Sequence, residues 1–372
     1  MPNWDVRFDL NVDQRDEALV KAVAKAEALA QIVRGIPLPP AAYEQIDRLN
    51  ISRAVRGTTG IEGSDLSEDE VAQVLRTNQN VLGQARAREE REVRNAGAVM
   101  AFVARILRAN PDEPLTETLI CEIRRLTTEG IDYENNTPGS YRSHAVHALQ
   151  YVPPRDAETV RTLTAEFARW LNDGPSMHWP AAIRAVAAHF YFISIHPFGD
   201  GNGRTARAIE SYLLYQGQIN VVGFYSLSNF YYRNRSEYVE MLDYVRFQSG
   251  GDLTPFVNFA LAGLVEELDQ VRDIVLRALT AIVYFDYARV VLDSIRVRTP
   301  VRNRLWFFLN ELRSPALVAD LKTGKHPLGV MYKVLSDKTL DRDIKTLVKS
   351  GLLLREADTI RINLDVMQQF KR

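Results

Sequence analysis

Residues 196–207, HPFGDGNGRTAR, join two helical patterns and decide the fold of this 372-residue chain. On their N-terminal side, residues 181–195 read AAIRAVAAHFYFISI. A helix that is apolar almost all round must be buried on every side, so this one is predicted to be the central helix. Pro197 disfavours helical geometry at His196, which places the imidazole at the edge of a loop. The loop then runs directly into a second helical pattern.

The loop carries the residue types of a polyphosphate site. Its closely spaced glycines let the backbone turn and point N–H groups inward, and the helix N-terminus that follows also favours an anion. Arg204 and Arg207 are three residues apart and share one helix face, where their guanidinium groups suit phosphate oxygens. Asp200 offers a carboxylate oxygen for Mg²⁺. His196 can accept a proton near neutral pH, so the set comprises a base, a metal ligand and a phosphate cradle.

Two other nucleotide-binding motifs are excluded. A Rossmann GxGxxG motif needs a third glycine at position 204, where arginine stands, and no strand–helix alternation surrounds the loop. The pattern GxxxxGK[ST] occurs nowhere in the chain, which excludes a P-loop. Another histidine, His189, lies two turns earlier on the same helix face and is expected to be a packed core residue.

With these residues in view, the stretch resembles the Fic family signature, HPFx(D/E)GN(G/K)RxxR, and departs from it at no defined position. The resemblance extends from about Ser52 to Ala260, where residues 252–256, DLTPF, match the pattern of the family's closing helix. Members transfer AMP from ATP onto a Tyr, Thr or Ser hydroxyl of a protein. The resemblance therefore implies a mainly α fold with a Fic-type helical core and a β-hairpin flap.

The resemblance also implies roles for individual residues. His196 would deprotonate the target hydroxyl for in-line attack on the α-phosphate of ATP. Asp200 would hold the Mg²⁺ that bridges the α- and β-phosphates. Five residues would contact phosphate oxygens, with the first arginine on the β-phosphate and the second on the γ-phosphate: Gly201, Asn202, Gly203, Arg204 and Arg207. Tyr231, Tyr232 and Tyr238 are candidates for holding adenine.

A hairpin-like segment precedes the central helix. Residues 135–154, NNTPGSYRSHAVHALQYVPP, combine turn residues, spaced apolar residues and a double proline, which favours a hairpin or an extended flap. By resemblance this is the family's flap, against which a target segment lies as an added strand. The flap residues implied to position the target are Gly139, Tyr141, Arg142 and Val146, and Val146 is also assigned to the nucleotide. His144 and His147 lack a third ligand and are expected at the surface.

An inhibitory motif is expected at residues 58–63, TTGIEG, which match the family pattern (S/T)xxxE(G/N). Gly63 is placed to end a helix at Glu62, and Ser67 with Glu70 forms a capping box for the next helix. A carboxylate at Glu62 would pair with Arg207 and occupy the guanidinium needed by the γ-phosphate. The motif, with Thr58 and Glu62 as its defined residues, implies an enzyme that inhibits itself at rest.

Composition is that of an ordinary globular protein. Hydrophobic residues make up 46% and charged residues 25%, and 46 basic against 47 acidic residues leave a net charge of −1. Overall charge therefore attracts neither nucleic acid nor membrane. The single cysteine, Cys121, excludes an intrachain disulfide and multi-cysteine zinc sites, and we expect it to be buried. No signal-peptide core or membrane-spanning run is seen, so a reduced, cytoplasmic compartment without membrane contact is expected.

Four segments are predicted along the chain. They are an N-terminal helical region with the inhibitory helix (1–105), the Fic catalytic core (106–262), a helical linker (263–299) and a winged helix-turn-helix domain (300–372). The last segment holds fourteen Lys or Arg and eight Asp or Glu, a local excess of six positive charges. It ends with a helix followed by two short apolar runs, as in a β-wing.

Alternatives to a self-inhibited adenylyltransferase stay open at this point. A DNA-binding regulator with a Fic sensor is permitted by basic residues near the recognition helix. They are Lys333, Lys338, Arg342, Lys345 and Lys349. Within the enzyme class, relatives transfer other phosphate-containing groups or remove AMP, and Glu62 would then orient water. The presence of Asp200 and Gly203 favours AMP transfer from ATP with Mg²⁺ over a kinase-like reaction in which the nucleotide is used in the inverted sense. Three further points stay open. The modified target could be another protein or this chain itself, and the C-terminal domain could contact DNA or protein. A homodimer is also possible from the sequence.

Overall fold

The computed structural model describes residues 4–77, 79–132, 137, 139–148, 151–220 and 227–370. Within these residues the chain is mainly helical, as predicted. It forms two compact units, Met1–Val275 and Leu276–Arg372. In the described part of the chain, no helix combines the length and the apolar character needed to cross a membrane.

The helices of the first unit are α1 (Glu17–Gly35), α2 (Pro40–Ile61), α3 (Glu68–Leu75), α4 (Ala87–Ala109), α5 (Glu117–Thr128), α6 (Ala157–Asn172), α7 (Ala181–Ile195), α8 (Asn202–Gln216), α9 (Ser228–Arg233) and α10 (Arg235–Phe247). Helix α11 (Thr254–Ser294) runs through the boundary between the units. Short 3₁₀ helices cover Gln84–Arg86 and Pro175–His178.

Helix α7 is the centre of the first unit, as its apolar sequence predicts. Every α7 residue except Ala181 and Arg184 is buried. Its alanines lie in the first half, where small side chains allow neighbouring helices to pack closely, and three consecutive aromatic residues, Phe190, Tyr191 and Phe192, fill space near its C-terminal end. Helix α8 packs along α7 and is itself largely buried. The loop between the two helices is therefore held on a rigid support.

The end of α2 and the start of α3 form as predicted from local sequence. Helix α2 ends at Ile61, Glu62 is its C-terminal cap, and Gly63 has a φ of 107°, a left-handed conformation that glycine adopts without strain. The capping box is present, because the Ser67 N–H donates to Glu70 Oε2 at 2.8 Å and the Glu70 N–H donates to Ser67 Oγ at 3.3 Å. Glu62 is thus placed at a well-defined helix end.

Helices α2 and α9 approach each other closely at Gly57. A Cβ atom added there would lie 2.5 Å from the backbone nitrogen of Asn229, closer than packed atoms come. We expect Gly57→Ala to lower the free energy of unfolding by about 1–3 kcal/mol because the helices must move apart. Urea denaturation would measure this change.

Gly35→Ala is the matched control for this prediction. Gly35 is the last residue of α1, and an added Cβ would meet nothing within 4 Å. Its free energy of unfolding is expected to stay near that of the wild type or to rise slightly, since alanine restricts the unfolded chain. Equal urea midpoints for the two variants would contradict the close packing of α2 and α9.

The second unit combines helices with a small antiparallel sheet. Its elements are α12 (Thr299–Glu311), β1 (Ala316–Leu317), α13 (Val318–Thr323), α14 (Pro327–Leu335), α15 (Asp337–Lys349), β2 (Leu353–Glu356), β3 (Thr359–Ile362) and a 3₁₀ helix, Leu364–Phe370. The strand order is β1-β3-β2, and Leu353 pairs with Ile362 in the β2–β3 hairpin. A helix followed by two short strands is therefore present as predicted. Its assignment as a winged helix stays a prediction.

The flap contains one antiparallel bridge among the described residues. Ala148 and Tyr151 pair through two backbone hydrogen bonds of 3.0 Å. Several positions of the predicted hairpin, Asn135, Asn136, Pro138, Leu149 and Gln150, lie outside the described residues. The remaining flap residues between 139 and 154 are extended or turn-like.

Candidate nucleotide-transfer site

His196 lies at the C-terminal end of α7, where the sequence places it. It adopts a left-handed conformation with φ 52° and ψ 56°, and its N–H still donates to the Phe192 carbonyl at 3.0 Å. The imidazole Nδ1 is 3.2 Å from the Ile193 carbonyl oxygen. A carbonyl only accepts hydrogen bonds, so this contact assigns the proton of the neutral ring to Nδ1. The other ring nitrogen, Nε2, then carries the lone pair that can accept a proton.

The imidazole is held in its neutral form. Burial, together with the positive charges of Arg142 and Arg246, outweighs the opposing effects of the Ile193 carbonyl and Glu62 and lowers the pKa of His196 to about 4. A ring with this pKa is unprotonated at neutral pH. His196 therefore has the protonation state and the tautomer of a general base.

Asn202 closes the loop that follows His196. Its side-chain oxygen accepts from the Phe198 N–H at 2.9 Å, and its side-chain nitrogen donates to the Phe198 carbonyl at 2.8 Å. Gly201, with φ 70°, turns the chain into α8, and the Thr205 hydroxyl donates back to the Gly201 carbonyl at 2.9 Å. The Asn202 side-chain amide thus holds the loop in place, and the backbone N–H groups of the loop are the groups suited to bind an anion. Sequence reasoning assigned Asn202 to phosphate and missed this clamp.

Both predicted arginines lie on the first turns of α8. Arg204 is 6% exposed and Arg207 is 2% exposed. Arg204 lies 3.6 Å from carboxylate oxygens of both Glu92 and Asp200. Two guanidinium groups at a helix N-terminus are suited to bind several phosphate oxygens.

The predicted inhibitory motif contacts Arg207 directly. Arg207 Nη2 is 2.6 Å from Glu62 Oε1, although 145 residues separate the two along the chain. Arg207 also donates to the Thr58 hydroxyl at 2.9 Å and to the Thr58 carbonyl at 3.1 Å. A Cβ atom added at Gly203 would lie against the Glu62 carboxylate, which shows how closely the end of α2 approaches the loop. Thr58, Glu62, Gly203 and Arg207 therefore form one cluster.

The Glu62 carboxylate is charged at neutral pH. Burial by itself would raise the pKa of Glu62, but the positive charges of Arg207 and Arg204 outweigh burial and lower the pKa. The side chain remains 31% exposed. A charged Glu62 occupies the Arg207 guanidinium as a phosphate oxygen would.

Asp200 fits a magnesium site that substrate completes. Its side chain is 41% exposed, and one carboxylate oxygen accepts from the Gly201 N–H. Mg²⁺ is commonly held by one or two carboxylates together with substrate phosphates, so one exposed carboxylate beside an anion cradle is a suitable donor set. Over the described ranges, no group of three or more His, Cys, Asp or Glu side chains could hold a metal ion. His144 and His147 belong to no such group, and His147 is exposed.

The flap lies against the loop that carries His196. Gly139 is in a turn ahead of Tyr141, whose hydroxyl donates to Glu117 Oε2 at 2.9 Å. The Tyr141 ring lies 5.5 Å from the Phe198 ring, and Val146 is half-buried. Arg142 is buried and donates from its side chain to backbone carbonyls of the loop and the flap. Sequence reasoning placed Arg142 in the flap but not in these contacts, since no local pattern reports them.

The other residues considered from the sequence, His189, three tyrosines and Cys121, contact neighbouring protein groups. His189 is fully buried, as expected, with Nε2 2.8 Å from the Tyr238 hydroxyl and Nδ1 3.3 Å from Glu210. Tyr231 is also buried and donates to Glu210 at 2.8 Å. Tyr232 packs beside Gly60 of α2. Cys121, expected to be buried, is only half-buried.

Known proteins of one family are similar to part of this chain. A model of the Fic/DOC family matches residues 114–214. "Protein adenylyltransferase Fic" of Aedes aegypti is 29% identical over 202 residues, which cover 54% of this chain and 38% of that protein. The Drosophila melanogaster protein of the same name is 28% identical with the same coverage. The chain thus spans well under half the length of these relatives.

Solved structures agree on the fold. Fic-1 of C. elegans, residues 134–508, is 24% identical with a TM-score of 0.58, over 68% of this chain and 71% of that one. A Fic family protein from Desulfovibrio desulfuricans G20 is 21% identical with a TM-score of 0.56, over 93% and 96%. The Fic/DOC family model thus matches the stretch that carries His196, Arg204 and Arg207, and the solved Fic structures share the fold of this chain.

Proposed function

We propose that this chain transfers AMP from ATP to a hydroxyl side chain of a protein and that Glu62 inhibits the transfer. One observation carries the proposal: a neutral His196 ends the helix before an anion-binding loop, and the arginine farther along, Arg207, is paired with Glu62 at 2.6 Å. The relatives named protein adenylyltransferase support the same reaction. A base followed by a phosphate cradle is the arrangement that phosphate transfer to a hydroxyl requires.

In the proposed reaction His196 Nε2 accepts the proton of the target hydroxyl. The hydroxyl oxygen forms a bond to the α-phosphorus of ATP, and the bond from that phosphorus to the bridging oxygen breaks, so pyrophosphate leaves. Arg204 and Arg207 bind the β- and γ-phosphates, and backbone N–H groups at residues 201–203 orient them. Mg²⁺, held by Asp200 together with the phosphates, would neutralise charge on the leaving group. The flap aligns the target segment by backbone pairing.

Inhibition follows from competition for Arg207. A γ-phosphate and the Glu62 carboxylate are both anionic, so they cannot share this guanidinium without strong repulsion. With Glu62 in place, ATP binds with its phosphates displaced from the in-line arrangement. Displacement of the α2 end would release the guanidinium and switch the enzyme on.

Labelled ATP tests the proposed function. Wild-type, Glu62→Gly and His196→Ala proteins are incubated with Mg²⁺ and cell lysate, using ATP labelled at the α-phosphate or, separately, at the γ-phosphate. AMP transfer predicts protein-bound label from the α-labelled nucleotide that increases with Glu62→Gly and is lost with His196→Ala, whereas label from the γ-labelled nucleotide is the same with all three proteins. Label from the γ-position that depends on His196 would indicate a kinase, and absence of His196-dependent label from either nucleotide would contradict the proposal.

The titration of His196 gives a prediction that does not depend on activity. Since its pKa is lowered to about 4, the ring stays neutral as the pH falls through 6.5, where an ordinary histidine is half protonated. NMR of the imidazole nitrogens, assigned by comparison with His196→Ala, should give a midpoint near 4. A midpoint at or above 6 would contradict the buried, neutral base.

A nucleic-acid or protein contact through the second unit stays a separate proposal. All five basic residues predicted near its recognition helix are exposed: Lys333, Lys338, Arg342, Lys345 and Lys349. Binding to duplex DNA that weakens steeply with salt would support it. The four-segment division, the cytoplasmic location and the homodimer likewise stay predictions.

A further inference from the structure

Arg142 lies where the flap meets the catalytic loop, and it is 4% exposed. Its Nε donates to the His196 carbonyl at 2.8 Å, and its Nη1 donates to the His144 carbonyl at 2.9 Å. Its Nη2 donates to the Pro154 carbonyl. The backbone N–H of Arg142 donates to the Pro197 carbonyl at 3.0 Å. One residue thus contacts four carbonyl groups.

These four carbonyls belong to two functional segments. His144 and Pro154 lie on the outgoing and returning sides of the flap, and Arg142 Nη groups join them. His196 and Pro197 are consecutive residues that begin the catalytic loop, and Arg142 contacts both carbonyls. One buried residue, Arg142, therefore hydrogen-bonds both the flap and the catalytic loop.

His196 needs such a partner because of its backbone conformation. In the left-handed region its carbonyl leaves the α7 hydrogen-bond pattern, and a partly buried carbonyl without a donor is costly. Arg142 supplies the donor at 2.8 Å. Loss of this contact would let the His196 backbone relax and carry its imidazole away from the target hydroxyl.

Arginine is the side chain that suits these contacts. A planar guanidinium presents donors in several fixed directions, so it can reach three carbonyls at once, whereas the ammonium of lysine is a single compact donor group. In the described part of the chain, Arg142 forms no ion pair within 4 Å, and its guanidinium donates to backbone carbonyls.

We propose that Arg142 is a positioning residue that holds the flap and the His196 base in register, so that one guanidinium sets the distance between the target hydroxyl and its proton acceptor. This inference rests on the proposed function. Arg142 itself contacts neither the phosphates nor the target hydroxyl. Its loss is therefore expected to change the rate of transfer without changing the affinity for ATP.

The test uses the full chain carrying Glu62→Gly, in which automodification with α-labelled ATP is followed over time. Arg142→Met and Arg142→Lys are added separately, and the rate constant at saturating ATP is measured together with the ATP concentration that gives half this rate. Misplacement of a reacting group by about 1 Å can cost roughly 100-fold in rate. We expect Arg142→Met to lower the saturating rate about 100-fold and Arg142→Lys at least about tenfold, with the half-saturating ATP concentration changed less than about threefold.

Tyr151→Phe is the matched control. It removes another flap contact, from the Tyr151 hydroxyl to the Ser194 carbonyl at 2.9 Å, without touching His196 or Pro197. Its saturating rate is expected to stay within about threefold of the Glu62→Gly parent, which separates the Arg142 contact from general loosening of the flap. If Arg142→Met does not fold, the test depends on Arg142→Lys, which keeps the positive charge and the aliphatic part of the side chain.

The outcomes separate the inference from the proposed function. If Glu62→Gly labels neither itself nor any protein of the lysate, the proposed function fails, and if it labels only a lysate protein, the same rates are measured on that protein. If it carries label and the Arg142 variants keep its saturating rate, the positioning role is wrong. The positioning role would also be wrong if Tyr151→Phe lowers the saturating rate as much as the Arg142 variants do. It would be wrong as well if a higher half-saturating ATP concentration explains the lower rate. Either result would indicate a merely structural role for Arg142.

Discussion

Replacement of Glu62 by glycine is expected to raise the rate of AMP transfer about 10- to 100-fold. The basis is the contact between the Glu62 carboxylate and the Arg207 guanidinium at 2.6 Å, in which Arg207 is 2% exposed. A hydrogen bond between charged groups contributes about 1.5–3 kcal/mol, and every ~1.4 kcal/mol corresponds to a factor of ten. Removal of the carboxylate frees the guanidinium for the γ-phosphate. The measurement is the initial rate of label transfer from α-labelled ATP.

Glu68→Gly is the control for charge removal in the same region. Glu68 begins α3 and pairs with Arg53 at 3.3 Å, so its loss also removes a carboxylate from an ion pair but leaves Arg207 paired. Its transfer rate is expected to equal that of the wild type. Glu62→Asp should lie between wild type and Glu62→Gly, since the shorter side chain keeps the charge but weakens the contact. An unchanged rate in Glu62→Gly would show that the carboxylate does not control the site.

His196→Ala in the Glu62→Gly background is expected to lower the transfer rate about 10²- to 10⁴-fold, the usual contribution of a positioned general base. The imidazole is neutral, with its Nδ1 directed at the Ile193 carbonyl 3.2 Å away, so Nε2 is the available acceptor. ATP affinity should change little, because the phosphates contact the loop backbone and the α8 arginines. Label transfer gives the rate, and calorimetry gives the affinity.

His178→Ala serves as the histidine control. His178 ends a short exposed 3₁₀ helix, Pro175–His178, and is itself exposed. We expect the same rate and affinity as in the Glu62→Gly parent. Transfer by His196→Ala at the parental rate would contradict the assignment of the base, whereas weakened ATP binding alone would place His196 among the nucleotide contacts.

Local features of the structure were predictable from residues close in sequence. Helices over residues 157–172 and 181–195 occupy the positions that their apolar spacing indicates. The Ser67–Glu70 capping box and the end of α2 before Gly63 are also as predicted. Each depends on hydrogen bonds and steric contacts within about one helical turn, which a sequence pattern reports directly.

Burial and long-range partners were less predictable. Cys121 was expected to be buried and is half-buried, because apolar spacing on a helix does not show how far the neighbouring segment covers it. The clamp made by the Asn202 amide depends on where the turn brings Phe198. The Arg142 contacts join the flap to residues more than fifty positions away. An arginine in a sequence carries no sign of which carbonyls it will reach.

By itself the sequence determined the buried helix, the glycine-rich loop and the arginine-bearing helix, together with the base and anion-binding chemistry of their side chains. Only the tertiary structure decided that the end of α2 reaches Arg207 and that Arg142 joins the flap to His196. The physical reason is range. Helix formation and capping are local, whereas an ion pair or a forked hydrogen bond forms only where the packing of distant segments brings donor and acceptor within about 3 Å.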